Sequence, residues 1–219
     1  VDFVLLYKDF KILGNSVAYR DSRNEGMDKY VESLISQQDL YSKTGIQKQQ
    51  FNTIYQFAAV KKENPEHFEQ AEYFLMIPEY LNFLLTGICR NEYTNATTTG
   101  LVNTYEKTWD MELIDLLGYP KKLFRPLSLP GTVVGSLSDK IKEEVGFDCT
   151  VILPATHDTG SAFLAVPSLD DNSVTISSGT WSLIGVENEN PITTEQSRLN
   201  NFTNEGGYNY RFRYLKNIM

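Results

Sequence analysis

The stretch from Thr150 to Glu187 constrains the fold more than any other part of this chain. It opens on the apolar, β-branched run Val151-Ile152-Leu153 and passes through the polar cluster Thr156-His157-Asp158-Thr159 into a small-residue helix start. After a short polar break, the strand-like runs VTISS and WSLIGVE meet at a Gly179-Thr180 turn. Strand, polar turn, helix and paired strands in that order belong to α/β proteins. The order sets a carboxylate near a strand end. Close by in sequence it sets a turn of small residues whose backbone amides are able to hold phosphate. Phosphoryl transfer uses both parts.

The rest of the chain reads as alternating strands and helices. Residues 2–7 and 11–20 read as two strands of a hairpin. Helices are expected over about 25–37, with Val31, Leu34 and Ile35 on one face, and over 52–63, with Ile54, Phe57 and Ala58. A third helix is expected over 77–86, with Pro78 in its first turn, the stripe Ile77, Leu81, Leu84 and Leu85, and Gly87 after its end. A fourth runs over 110–117, with Leu113, Leu116 and Leu117 facing inward and Gly118 closing it. Thr132–Leu137 reads as a strand, and Ser138–Val145 as a helix begun by Ser138 or Asp139. Tyr214–Met219 reads as a helix stopped without a cap, and the best domain boundary is Pro167–Asn172. Both ends look cut, as in an internal piece of a longer protein.

A length of 219 residues suits one large domain, or one domain with part of a second. The net charge of −8 argues against nucleic-acid or anionic-membrane binding, because both need basic surfaces. Phosphorylated ligands stay open, since backbone N–H groups and Mg²⁺ hold phosphate whatever the overall charge. Cys89 and Cys149 match no metal-ligand spacing and read as reduced thiols of a cytoplasmic protein. No run approaches the roughly 20 apolar residues of a membrane span. The sequons at Asn95 and Asn201 are read as chance matches.

Each candidate for chemistry has a plain reading beside a functional one. Asp158 is either the cap of a helix starting at Thr159 or a general base at a strand's carboxyl end. These are compatible, because a helix N-terminus stabilises a carboxylate anion. His157 is one of only two histidines, and is structural or a hydrogen-bond partner of a polyol. Thr159 is a capping hydroxyl or a ligand contact. The run Ser177-Ser178-Gly179-Thr180 is a hairpin turn or a phosphate cradle, with Thr180 adding a hydroxyl. Arg20-Asp21-Ser22-Arg23 is solvated surface or part of a site, and Tyr93–Thr99 reads as a loop. HExxH, GxSxG and a complete P-loop are absent from the sequence.

With these residues in hand, the chain resembles the FGGY family of carbohydrate kinases. The resemblance rests on VDFVLL (1–6), AYRDSR (18–23), FNTIYQ (51–56), EYTNATTT (92–99), THDTGSA (156–162), ISSGTWSLIG (176–185), TNEGG (203–207) and LKNIM (215–219). It implies two actin-like, ribonuclease-H-like domains that close on a sugar and ATP·Mg²⁺. Residues 1–170 would be the later part of the sugar-binding N-terminal domain, and 171–219 the start of the nucleotide-binding C-terminal domain.

By the same resemblance, Asp158 takes the proton from the sugar's 1-hydroxyl, while His157 and Thr159 flank it as sugar contacts. Thr180 meets the nucleotide phosphates, and Asn217 is a further substrate contact on this ground alone. No residue is implied as a metal ligand. The implied reaction transfers the γ-phosphoryl group of ATP to L-rhamnulose, with L-fuculose, D-xylulose or glycerol as the sugars of sister kinases. A non-catalytic, actin-like nucleotide-binding module is the alternative of another class. The family's first phosphate loop and one glycine sugar contact are expected before Val1, and the adenine pocket beyond Met219, so the isolated chain is expected not to turn over.

Overall fold

The stretch Thr53–Glu63 carries Ile54, Tyr55, Phe57, Ala58, Ala59 and Val60 almost without a polar break, and it forms a helix buried from Thr53 through Val60. A helix apolar on all sides belongs in a core. In the computed structural model, which describes residues 1–168 and 173–218, this helix is the centre of the main core. Phe57 is its hub, with ring centroids 4.9 Å from Phe3, 4.9 Å from Phe74, 5.2 Å from Phe68 and 5.4 Å from Tyr119. Such tilted and edge-to-face pairs add about 0.5–1.5 kcal/mol each beyond their buried area.

The Phe3–Leu6 strand packs on this helix but does not form the expected hairpin. It pairs antiparallel with Tyr73–Met76, Phe3 opposite Met76, and meets the following segment through a single Leu6–Ile12 bridge and a hydrogen bond from Ser16 Oγ to Phe3 O. All four of its residues are buried, so it needs cover on both faces. The exposed, charged 8–12 segment offers little. The expected helix over 25–37 is two helices, Met27–Glu32 and Gln37–Thr44. Ser36 divides them, because its Oγ accepts from Asp39 N–H at 3.0 Å and starts the second.

The 77–86 helix forms where expected, as Ile77–Thr86, and Ile77 packs against Val4, Leu6 and Leu75, but the rest of its stripe points outward, with Leu81, Leu84 and Leu85 all exposed. The reason is Glu79, which is turned inward and 1% exposed. It accepts hydrogen bonds from Met76 N–H (2.8 Å), Asn91 Nδ2 (2.9 Å) and Glu92 N–H (2.6 Å). Likewise, Leu113 and Leu117 face inward on the Met111–Leu116 helix, while Leu116 is exposed. Burial pushes the Glu79 carboxyl up to about 8 in spite of its three donors, with the neighbouring Glu92 adding to the rise. A raised carboxyl contributes stability that is full below the ordinary value of 4.5 and fades as pH rises through about 8. The Glu79 carboxyl ¹³C signal is therefore expected to titrate near 8, together with a loss of stability toward alkaline pH. A midpoint near 4.5 would contradict this.

Glu92 continues the polar spine from Glu79 toward the surface. The polar run after it is not a loop. Residues Tyr93–Thr97 form a short buried helix capped by the Glu92 carboxylate, which accepts from Thr94 N–H, Thr94 Oγ1 and Asn95 N–H. Threonine and asparagine side chains satisfy the backbone here: Asn52 Nδ2 donates to Thr98 O (3.1 Å), and Thr97 Oγ1 to Thr94 O (2.8 Å).

The later residues build an antiparallel four-stranded sheet in the order Thr203–Gly206, Phe212–Asn217, Ser182–Asn188, Thr175–Ser178. Residues 214–217 of the expected terminal helix are thus strand, paired on both sides, with Leu183 opposite Asn217 and Thr203 opposite Leu215. Phe212 and Tyr214 alternate with residues of the opposite face, and pairing with two neighbours outweighs any helical tendency of LKNIM. Gly206 welds this sheet to the buried threonine helix: its N–H donates to Thr97 Oγ1 at 2.9 Å, and a Cβ there would lie 2.5 Å from the Tyr93 ring. The expected boundary at 167–172 falls largely outside the described residues. Among the described residues, no helix is long and apolar enough to cross a membrane.

Candidate active site

A cleft of about 390 Å³ lies between the four-stranded sheet and the first part of the chain. One wall is a face of the sheet. Ser177, Leu183, Thr203, Glu205, Leu215 and Asn217 all line it, and all are odd-numbered, as the period of two requires when one face of paired strands looks into a cavity. The opposite wall is the 46–52 loop with Tyr19 and Thr98. Phe51 and Trp181 reach across, their rings edge to face at 5.8 Å, and Tyr19 stands edge-on to Phe51 at 5.3 Å.

His157, Asp158 and Thr159 enter at the start of the Asp158–Leu164 helix. This corrects one expectation. His157 occupies the cap position without a side-chain capping bond, and Asp158 is the first helical residue. Asp158 Oδ1 accepts from Thr159 N–H at 2.7 Å, while its side chain stays 95% exposed. The strand before it, Thr150–Ile152, pairs antiparallel with Val133–Ser136 in a separate two-stranded ribbon. The carboxylate is therefore positioned by the helix start and not by an open sheet.

Glu92 fixes the approach to that helix, because its Oε2 accepts from Thr156 N–H (3.0 Å) and Thr156 Oγ1 (2.7 Å). The spine from Glu79 through Glu92 thus ends one residue before His157. Gly160 in the first turn of the helix sits against Ala155, Arg213 and Thr94, where a Cβ would lie 3.3–3.4 Å from each.

All five expected site residues line this one cleft: His157, Asp158, Thr159, Thr180 and Asn217. Thr180 sits exposed in the turn between the paired strands 175–178 and 182–188, where Gly179 N–H donates to Trp181 O at 2.8 Å. Asn217 is brought to that turn by the strand pairing, with Ile218 N–H donating to Ser182 O at 2.9 Å. The Arg20–Arg23 cluster is not part of the lining, although Tyr19 beside it is.

Sequence reasoning missed Glu205 and Arg213. Glu205 lines the cleft, and its Oε2 lies 3.2 Å from His157 Nδ1 and 3.4 Å from Arg213 Nη2. Burial raises the Glu205 carboxyl, but the ring of His157 when it is protonated and the Arg213 guanidinium more than offset this and hold it at about 2. Arg213 is fully buried. The alternation of 203–205 and 213–217 is the signal that would have found them, once the latter segment is read as a strand.

The family model for the FGGY family of carbohydrate kinases, N-terminal domain, matches residues 1–165. The chain belongs to the FGGY family. The rhamnulokinase of Oceanobacillus iheyensis is 57% identical over 219 residues, all of this chain and 46% of the relative. That of Halalkalibacterium halodurans is 55% identical, over all of this chain and 47% of the relative. The chain thus spans about half the length of the curated relatives it matches. Among solved structures, a ligand-bound xylulose kinase from Lactobacillus acidophilus superposes with a TM-score of 0.87 at 23% identity, over 99% of this chain and 44% of that one. A Plasmodium falciparum glycerol kinase with ADP superposes with a TM-score of 0.77 at 17% identity, over 99% of this chain and 44% of that one. The fold is accordingly a part of the actin-like, ribonuclease-H-like architecture of these kinases.

Proposed function

We propose that these residues are the sugar half of a kinase that transfers the γ-phosphoryl group of ATP to the 1-hydroxyl of L-rhamnulose. The observation that carries this reading is the convergence of His157, Asp158, Thr159, Thr180 and Asn217 on one cleft. Asp158, exposed to the cleft, is the general base that takes the hydroxyl proton. His157, Thr159 and Asn217 hold the sugar, and Thr180 faces the nucleotide phosphates. Residues 1–170 belong to the sugar-binding domain, and 171–219 start the nucleotide-binding one. The protein works in the cytoplasm.

Mg²⁺ enters on the phosphate oxygens of ATP, as it commonly does at such sites. Among the described residues, no three His, Cys, Asp or Glu side chains converge into a cluster that could hold a metal of its own. When bound, the ion neutralises charge on the transferred group. L-rhamnulose, whose sixth carbon is a methyl, suits a lining that mixes Ile46, Phe51, Leu183 and Leu215 with polar groups.

Trp181 lines the cleft, while Trp109 is buried at 3% exposure, so Trp181 reports on the site. Titrating L-rhamnulose into the protein is expected to change its fluorescence saturably, and glycerol is expected to do so only at far higher concentration. No response to L-rhamnulose, with a response to another of the family's sugars, would transfer the proposal to that sugar.

A further inference from the structure

The His157 ring has an unusual pair of neighbours at one nitrogen. Nδ1 lies 3.1 Å from Arg213 Nη1 and 3.2 Å from Glu205 Oε2. A guanidinium only donates, and an ionised carboxylate only accepts, so the two ask for opposite states of that nitrogen. Alignment decides between them. The Arg213 contact has hydrogen-bond geometry, whereas Glu205 Oε2 is a buried atom without a hydrogen-bond partner among the described residues. Arg213 is itself immobilised, fully buried and donating Nη2 to Gly206 O at 2.9 Å. Cross-strand pairing sets Glu205 directly opposite it.

We propose that Arg213 is a positioning residue that keeps Nδ1 of His157 bare, so that the neutral ring carries its proton on Nε2 and presents an N–H donor to the cleft. Glu205 supplies the countercharge that lets the guanidinium stay buried. Nε2 lies 3.5 Å from Asp158 Oδ1, so its N–H is within reach of a ligand oxygen bound beside that carboxylate. His157 therefore donates to the bound molecule and does not accept from it. This rests on the proposed sugar site only for the identity of that molecule.

The first test needs no ligand. Long-range ¹H–¹⁵N correlation spectra, at a pH where the rings are neutral, distinguish the two tautomers. With only His67 besides His157 in the chain, a His67→Gln variant assigns the signals. The expected pattern is the Nε2–H form for His157, shifting toward a mixture in the Glu205→Met/Arg213→Met double variant. That variant removes both charges together and avoids stranding either one. An Nδ1–H pattern, or an Nε2–H pattern unchanged in the double variant, would overturn the inference even if sugar binding is confirmed.

The second test reads binding through Trp181. His157→Gln, which can return an N–H donor near the Nε2 position, is expected to keep most of the affinity for L-rhamnulose. His157→Asn is expected to lose about tenfold, the worth of one hydrogen bond. Equal loss in both variants would overturn the donor role. If wild-type protein binds no sugar while the tautomer is as expected, the sugar reading fails and the positioning role stands.

Discussion

Replacing Asp158 by Ala is expected to lower kcat by ~10²–10⁴-fold, the usual worth of general-base assistance, with a much smaller change in KM. The measurement uses a chimera in which these 219 residues replace the matching span of the O. iheyensis rhamnulokinase, which is 57% identical to them. The Asp158 carboxylate is almost wholly exposed to the cleft and has local contacts alone among the described residues, accepting from Thr159 N–H and Thr159 Oγ1 and standing 3.5 Å from His157 Nε2. A first-turn carboxylate also interacts with the helix N-terminus, worth about 0.3–1 kcal/mol at an exposed site. The variant should therefore fold almost as stably as the parent while losing turnover. Near-normal kcat with a lowered melting temperature would reduce Asp158 to a helix-start residue.

Replacing Glu92 by Ala is expected to cost roughly 3–5 kcal/mol of stability, since each buried donor left unpaired costs about 1–3 kcal/mol. Glu92 is fully buried and serves Thr94, Asn95 and Thr156 together. Its loss would uncap the Tyr93–Thr97 helix and release the segment leading to His157. A shift in urea midpoint reads the effect. Adding Thr156→Val to the variant should cost little more, because the two residues share one network. A loss below about 1 kcal/mol for Glu92→Ala would show that water replaces the carboxylate and that the spine does not hold the site.

The parts of the fold that were legible in the sequence are those governed by local chemistry. Thr53–Glu63, Ile77–Thr86 and Met111–Leu116 have helical apolar spacing, and Pro78 and Gly87 mark two of the ends. The paired strands around Gly179-Thr180 were equally readable. The parts that misled are those decided by distant partners. Phe3–Leu6 takes its neighbour from residues 73–76. The 212–217 segment is a strand because strands on both sides claim its backbone. Tyr93–Thr97 looks like a loop by composition and is helical because a buried carboxylate caps it. For the site, Asp158 and Thr180 stood out from residue chemistry and Asn217 only through family resemblance. Glu205 and Arg213 needed the strand pairing that sets them opposite each other.

The central claim is that this cleft directs phosphoryl transfer to L-rhamnulose with Asp158 as base. ADP release by the chimera, supplied with MgATP and in turn with L-rhamnulose, L-fuculose, D-xylulose and glycerol, tests it most directly. The expected result is turnover highest on L-rhamnulose and abolished to within ~10²–10⁴-fold by Asp158→Ala. A folded chimera that binds ATP yet turns over none of the four sugars, or that prefers one of the other three, would contradict it.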